Sequence, residues 1–361
     1  MFKQFILLVI LILVPNITKA ADLDFKVGVI LPLTGPAADY GIAIQNGIKL
    51  ASRENSGSKI NFIYEDGAYE PSTVLAALNK LHQIDKVRLL YVWGVKYCFL
   101  VSSYVEKNKL PMVAQCVHGE VAKDKTYIIR FLNHANEYMV VLNNYLDKSN
   151  LKDIATVISE DTYCEETFRA LKEELSKEIK LTEIASLPPK EMDFRSTIAR
   201  IKSKKYQAVI AFLAPGQNGQ FAKQMKELHL DIPVFGHNTY ESLSEIKLSQ
   251  GAMEGAIFAN NRVTEEFKNY YLQQYKNDNQ ITWAGFSYEF TKMLEFLEPS
   301  LTSASSGLEI MDIIARYPAK SNSVAGPLNY YENTKVGRYF GFPIVMKTVK
   351  DGKIQVLEPS N

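Results

Sequence analysis

The three cysteines, Cys98, Cys116 and Cys164, each follow closely on an apolar run, where a strand would hand over to a loop. With His118 and His237 they are the side-chain types that a soft metal takes. Their spacing does not preorganise them, since CxxC, CxxCH and HExxH are absent, and neither a metal nor a cofactor is expected. A disulfide between Cys98 and Cys116, which follow consecutive strands, needs Cα atoms within about 7 Å. Small buried thiols are the commoner fate. Glu65 and Asp66 resemble paired carboxylates, but neighbouring strand residues point to opposite faces. No GxSxG elbow, GxxxxGK[ST] loop or GxGxxG fingerprint occurs, so the chain is not expected to be an enzyme.

At 361 residues with 47% hydrophobic content, the chain is too long for one core, and two domains are expected. Its 41 basic residues against 40 acidic ones create no field to hold phosphates, which argues against a nucleic-acid partner. Lys3, the apolar run Phe5 to Val14 and the small-residue site ending at Ala20 read as a signal peptide, residues 1–20, cleaved after Ala20. The run falls short of the roughly 20 residues that span a bilayer. A periplasmic destination follows.

Short apolar runs must position whatever chemistry there is. Phe25 to Leu31, Lys59 to Tyr64, Val87 to Val92 and Leu110 to Ala114 read as buried strands. A second series is Ile154 to Ser159, Leu181 to Ala185, Gln207 to Leu213, Ile232 to Phe235 and Ala256 to Ala259. Helical stripes lie between them, such as Val74, Leu75, Leu78 and Leu81 behind Pro71, which suits a first helical turn. This alternation predicts an α/β fold of two doubly wound parallel-sheet lobes. Helices are expected over Thr264 to Tyr275, Trp283 to Leu297 and Leu308 to Tyr317, then a closing hairpin of Arg338 to Thr348 with Lys353 to Leu357. Ligands of such sheets sit beyond the carboxyl ends of the strands. The loops to watch are therefore 32–40, 94–99, 115–120, 160–165, 214–219 and 236–240.

The opening Lys26 to Pro36, then Tyr40-Gly41 and Asn46-Gly47, resembles the branched-chain amino acid binding proteins of ABC importers, which are type I periplasmic binding proteins. Tyr64-Glu65-Asp66, Asp193 to Ile201, Gly219-Gln220 and Gly326 to Tyr330 extend the resemblance in the family's order. It implies two lobes joined by a three-strand hinge, closing on a small-molecule ligand and docking as a monomer on an ABC permease in the inner membrane. The hinge crossings would lie near Leu132, Arg262 and Ala325. One lobe would then combine 22–132 with 263–325, and the other 133–262 with 326–361.

Carried over position by position, the resemblance implies that Tyr40 and Tyr163 are cleft aromatics. The loop that offers serine and threonine to a ligand carboxylate reads Gly94 to Phe99 here, with Lys96, Tyr97 and Cys98, and the next loop carries Cys116 and His118. The acidic partner of a ligand ammonium falls at Asn238, which is uncharged, and a second cleft tyrosine at Pro215. Burying an ammonium without a carboxylate costs several kcal/mol by rough estimate. The expected ligand is therefore a carboxylate or amide lacking an α-ammonium, with Lys96 or His118 as the source of positive charge. The alternative is a periplasmic sensor that shows its closed form to a receptor, and adjacent permease genes would argue against it.

Overall fold

The computed structural model describes residues 24–333 and 335–357, and the expected signal peptide lies outside them. The first series of runs forms β1 (Phe25–Leu31), β2 (Ile60–Asp66), β3 (Leu89–Trp93), β4 (Met112–Gln115) and β5 (Ile128–Arg130). They pair in the order β5-β4-β3-β1-β2, all parallel. The second series forms β6 (Asp153–Ser159), β7 (Lys180–Leu187), β8 (Ala208–Phe212), β9 (Val234–Gly236) and β10 (Ile257–Asn261). Their order is β10-β9-β8-β6-β7, again parallel. Parallel neighbours need helical crossovers that cover both faces, which is why β3 and β8 are buried along their whole length. In each sheet the strand order reverses beside the first strand of the series, so successive loops part there and leave a crevice.

The last strands are β11 (Asn329–Asn333), β12 (Gly337–Gly341), β13 (Ile344–Lys350) and β14 (Lys353–Val356). β13 and β14 form the expected hairpin at the edge of the second sheet. The rest of the tail corrects the sequence-based expectation. β11 and β12 pair with each other and join the first sheet through β5, so 326–341 does not belong with the second lobe. Nor is Arg338 to Thr348 one strand. It breaks at Phe342-Pro343, because proline has no N–H for a ladder, and there the chain changes sheets. The third crossing is at these residues and not at Ala325.

Two asparagines tie the crossings together. Asn133 Oδ1 accepts from the Phe342 N–H at 3.0 Å and from Asn261 Nδ2 at 3.1 Å. Asn261 Nδ2 also donates to the carbonyls of Phe342 and Pro343.

Near the first crevice, helices Ala38–Glu54 and Ile281–Leu297 approach so closely that a Cβ on Gly47 would lie 2.1 Å from the Ala284 carbonyl oxygen. The Ser287 hydroxyl donates to the Ile44 carbonyl at 2.9 Å, and Phe290 packs on Tyr91 of β3 at 4.5 Å. This contact sets Tyr40 beside Trp283.

Candidate functional site

The loop after β1 is held by Asp66 at the end of β2. Its Oδ1 accepts from the N–H groups of Leu33 and Ala68, both at 2.8 Å, and its Oδ2 from the Thr34 hydroxyl at 2.6 Å. Burial raises the carboxyl, but these hydrogen bonds outweigh it and hold the group below the usual carboxylate range. Asp66 is thus a loop clamp. From that loop Tyr40 enters the crevice at the start of helix Ala38–Glu54.

The next wall comes from the ends of β3 and β4. Trp93 closes β3, and Gly94 takes a left-handed φ of 98°, which lets the chain turn at once into helix Val95–Lys107. Lys96 and Tyr97 therefore sit on a first helical turn rather than in a loop. Gln115 closes β4, with Cys116 and Val117 behind it. Opposite lie Asp161 and Tyr163 at the head of helix Thr162–Glu174, Pro215 after β8, and Asn238-Thr239 after β9.

These residues, with Tyr69, Leu132 and Trp283, line one cavity between the two sheets, about 550 Å³ of non-atom space with its mouth included. Tyr40, Trp93 and Trp283 form an aromatic corner with ring centroids 5.1 to 6.0 Å apart. Polar contacts bridge the lobes: Tyr40 Oη donates to the Thr239 carbonyl at 3.5 Å, Tyr69 Oη to Asp161 Oδ2 at 3.1 Å, and Ser244 Oγ to Asp39.

Of the expected site residues, Tyr40, Lys96, Tyr97, Cys116, Tyr163 and Asn238 line this cavity, as does Pro215. Two do not. Cys98 is turned beneath the first helical turn, where its thiol meets the Val92 carbonyl at 3.3 Å and burial pushes its pKa up. His118 faces away, with Nε2 3.5 Å from Glu166, and burial lowers its pKa, which disqualifies it as the positive charge of the cleft. Lys96 is exposed, with Nζ 5.8 Å from the Tyr69 ring centroid. The cysteines are free, and the described residues assemble no group of three or more metal-ligating side chains.

Asp161 is the carboxylate of the lining, and both its oxygens are engaged: Oδ1 accepts from the Tyr163 N–H at 3.0 Å and Oδ2 from Tyr69. Asn238 Oδ1 accepts from the Tyr163 hydroxyl at 2.6 Å. Trp93, Gln115, Tyr69, Asp161 and Trp283 escaped the sequence reading. Trp93 and Gln115 are final strand residues, the first one step before the loop 94–99 and the second the first residue of 115–120, and Asp161 lies within 160–165, whereas Trp283 arrives from a remote helix with no local signal.

A pair of doubly wound lobes meeting across an aromatic cleft is an arrangement that can enclose a small molecule. The chain belongs to the periplasmic binding protein family, whose profile matches residues 24–295. It is 27% identical over 255 residues to the Leu/Ile/Val-binding protein BraC3 of Rhizobium johnstonii, covering 66% of this chain and 68% of that protein. The leucine binding protein LivK of Thermotoga maritima shares the fold at a TM-score of 0.84 with 17% identity, covering 92% of this chain and 97% of its own. A solute binding protein of an R. palustris ABC transporter, in complex with benzoate, superposes at 0.82 with 18% identity over 92% and 95% of the two chains.

Proposed function

We propose that this protein captures a small carboxylate or amide lacking an α-ammonium in the periplasm and delivers it to an ABC permease by closing its lobes. The observation that carries the reading is the electrostatics of the cleft. An amino acid brings an ammonium that must meet a free carboxylate once water is excluded. Among the described lining residues the one carboxylate, Asp161, accepts from the Tyr69 hydroxyl and the Tyr163 N–H, and Asn238 carries no charge. The benzoate complex of a structural neighbour supports the choice of an acid, while the Leu/Ile/Val names of the sequence relatives favour the opposite choice.

Closure would turn on the three crossing segments, which the Asn133 and Asn261 side chains knit into one node. Lobe contacts such as Tyr69 to Asp161 would form as water leaves. A thermal-shift screen of ligand-stripped protein tests the reading, because a ligand that binds only the folded state raises Tm. Acids or amides should give the large shifts. Large shifts from leucine, isoleucine or valine alone would overturn it.

A further inference from the structure

We infer that the cleft recognises a carboxylate specifically, and that its oxygens are held by three neutral donors: the indole N–H groups of Trp93 and Trp283 and the side-chain amide of Gln115. This deepens the function proposed above and rests on it. All three residues line the cavity, and they are 6%, 5% and 0% exposed. Trp93 Nε1, Trp283 Nε1 and Gln115 Nε2 are buried atoms without a hydrogen-bond partner. Such a group costs on the order of 1–3 kcal/mol unless something meets it.

The pattern of partnered atoms gives the ligand its chemistry. Gln115 Oε1 already accepts from the Tyr91 hydroxyl, so the amide orientation leaves only its NH₂ free. Tyr97 Oη donates to the Gly67 carbonyl at 2.9 Å, and the hydroxyls of Tyr163 and Tyr40 are also engaged. Every unpartnered buried side-chain atom on the described lining is therefore a donor. A carboxylate is acceptor-only, with two oxygens and about four lone-pair sites. The NH₂ of an amide would face these same donors and find no acceptor among them. The first turn of helix Val95–Lys107, adjoining Trp93, adds the positive end of a helix dipole to a site whose side-chain donors carry no charge. The aromatic corner suits a flat or branched apolar body.

The chain has two tryptophans in all, and both belong to the cradle, so one experiment reads it directly. Ligand-stripped protein labelled with ¹⁵N-tryptophan gives two indole N–H resonances, assigned with Trp93→Phe and Trp283→Phe. It is titrated with benzoate, phenylacetate and isovalerate, with their amides, and with leucine. The expected result is that at least one acid binds and moves both resonances downfield. Its amide should bind at least tenfold more weakly, and each Phe variant should lose at least tenfold in affinity for that acid. An acid that binds while both resonances stay put, or an amide that binds as well as its acid, overturns the cradle and leaves the proposed function standing. Binding of leucine with no acid or amide overturns both, as does silence from the whole panel. Because the resonances are read on the wild-type chain, the result does not depend on either variant folding.

Discussion

The Tyr163 hydroxyl donates to the Asn238 side-chain carbonyl at 2.6 Å, so two residues that line the cavity from the second lobe are locked to each other. Asn238 thus orients a cavity tyrosine and brings no charge to the lining. Asn238→Asp keeps an acceptor for Tyr163 but places a negative charge in the cavity. Affinity for a bound acid should fall at least tenfold, about 1.4 kcal/mol, in isothermal titration calorimetry. Unchanged affinity would place the acid away from residue 238.

Stability should fall as the solution becomes acidic, through histidines whose pKa burial depresses, the buried His237 and the partly buried His134 foremost. His237 is 1% exposed, stacks on Phe212 at 5.1 Å and shares a hydrogen bond of 2.8 Å between its Nδ1 and the Thr239 hydroxyl, and burial pushes its pKa down to about 3. His134 is lowered to about 4 by burial first and by Arg130 next. Both values lie below the ordinary 6.5. Above that pH neither state is protonated and stability is flat. Below it the unfolded chain takes up protons that the folded chain refuses, so stability drains away until about pH 4 for His134 and about pH 3 for His237. His237→Phe keeps the ring stack and should make the slope of unfolding free energy between about pH 6 and pH 5 shallower, the remainder coming from His134, His118 and His82, whose pKa values are also lowered. An unaltered slope would mean that His237 titrates freely in the fold.

Lys347 and Glu241 form a buried pair at 2.7 Å, 4% and 0% exposed, with the Thr282 hydroxyl donating to the other Glu241 oxygen at 2.7 Å. Lys347→Met leaves Glu241 charged and dry, so denaturant unfolding should show a loss of about 3–5 kcal/mol. The double variant Lys347→Met with Glu241→Leu should recover most of that loss, since it leaves no orphan charge. Equal losses in the two proteins would show that packing, and not charge, is at stake.

Gly47→Ala should act at a distance. Its Cβ would lie 2.1 Å from the Ala284 carbonyl, so helices Ala38–Glu54 and Ile281–Leu297 must separate, at a cost of about 1–3 kcal/mol. These helices carry Tyr40 and Trp283, so ligand affinity should fall together with Tm. A stable variant with intact affinity would show that the helices slide apart without disturbing the aromatic corner.

Most of the fold was legible in the chain. Each run of the first nine became a strand, and β1 occupies Phe25–Leu31 as its pattern predicts, because a strand covered on both faces must be apolar throughout. β5 was missed because Ile128–Arg130 is too short to show a period. Pro343 signals a break in any sequence, yet only the pairing of β12 with β5 says that the chain there passes from one sheet to the other.

The site divides along the same line. Strand-end loops of an open α/β sheet converge whatever their sequence, and within them the resemblance picked out Tyr40, Tyr163 and Asn238, which line the cavity. Cys98 was misplaced because a loop was expected where helix Val95–Lys107 begins, and successive helical residues point about 100° apart, whereas His118 caps the short turn Gly119–Val121 and meets Glu166. Lys96 and Tyr97 thereby reach the cavity while Cys98 turns under it. Residue types alone determined two doubly wound lobes, while the expectation of aromatics at Tyr40 and Tyr163 and of no charge at Asn238 came from the resemblance. Only the tertiary structure decided which polar atoms of that cleft lack partners, because whether a buried donor is satisfied depends on atoms that may stand nearly two hundred residues away in the chain.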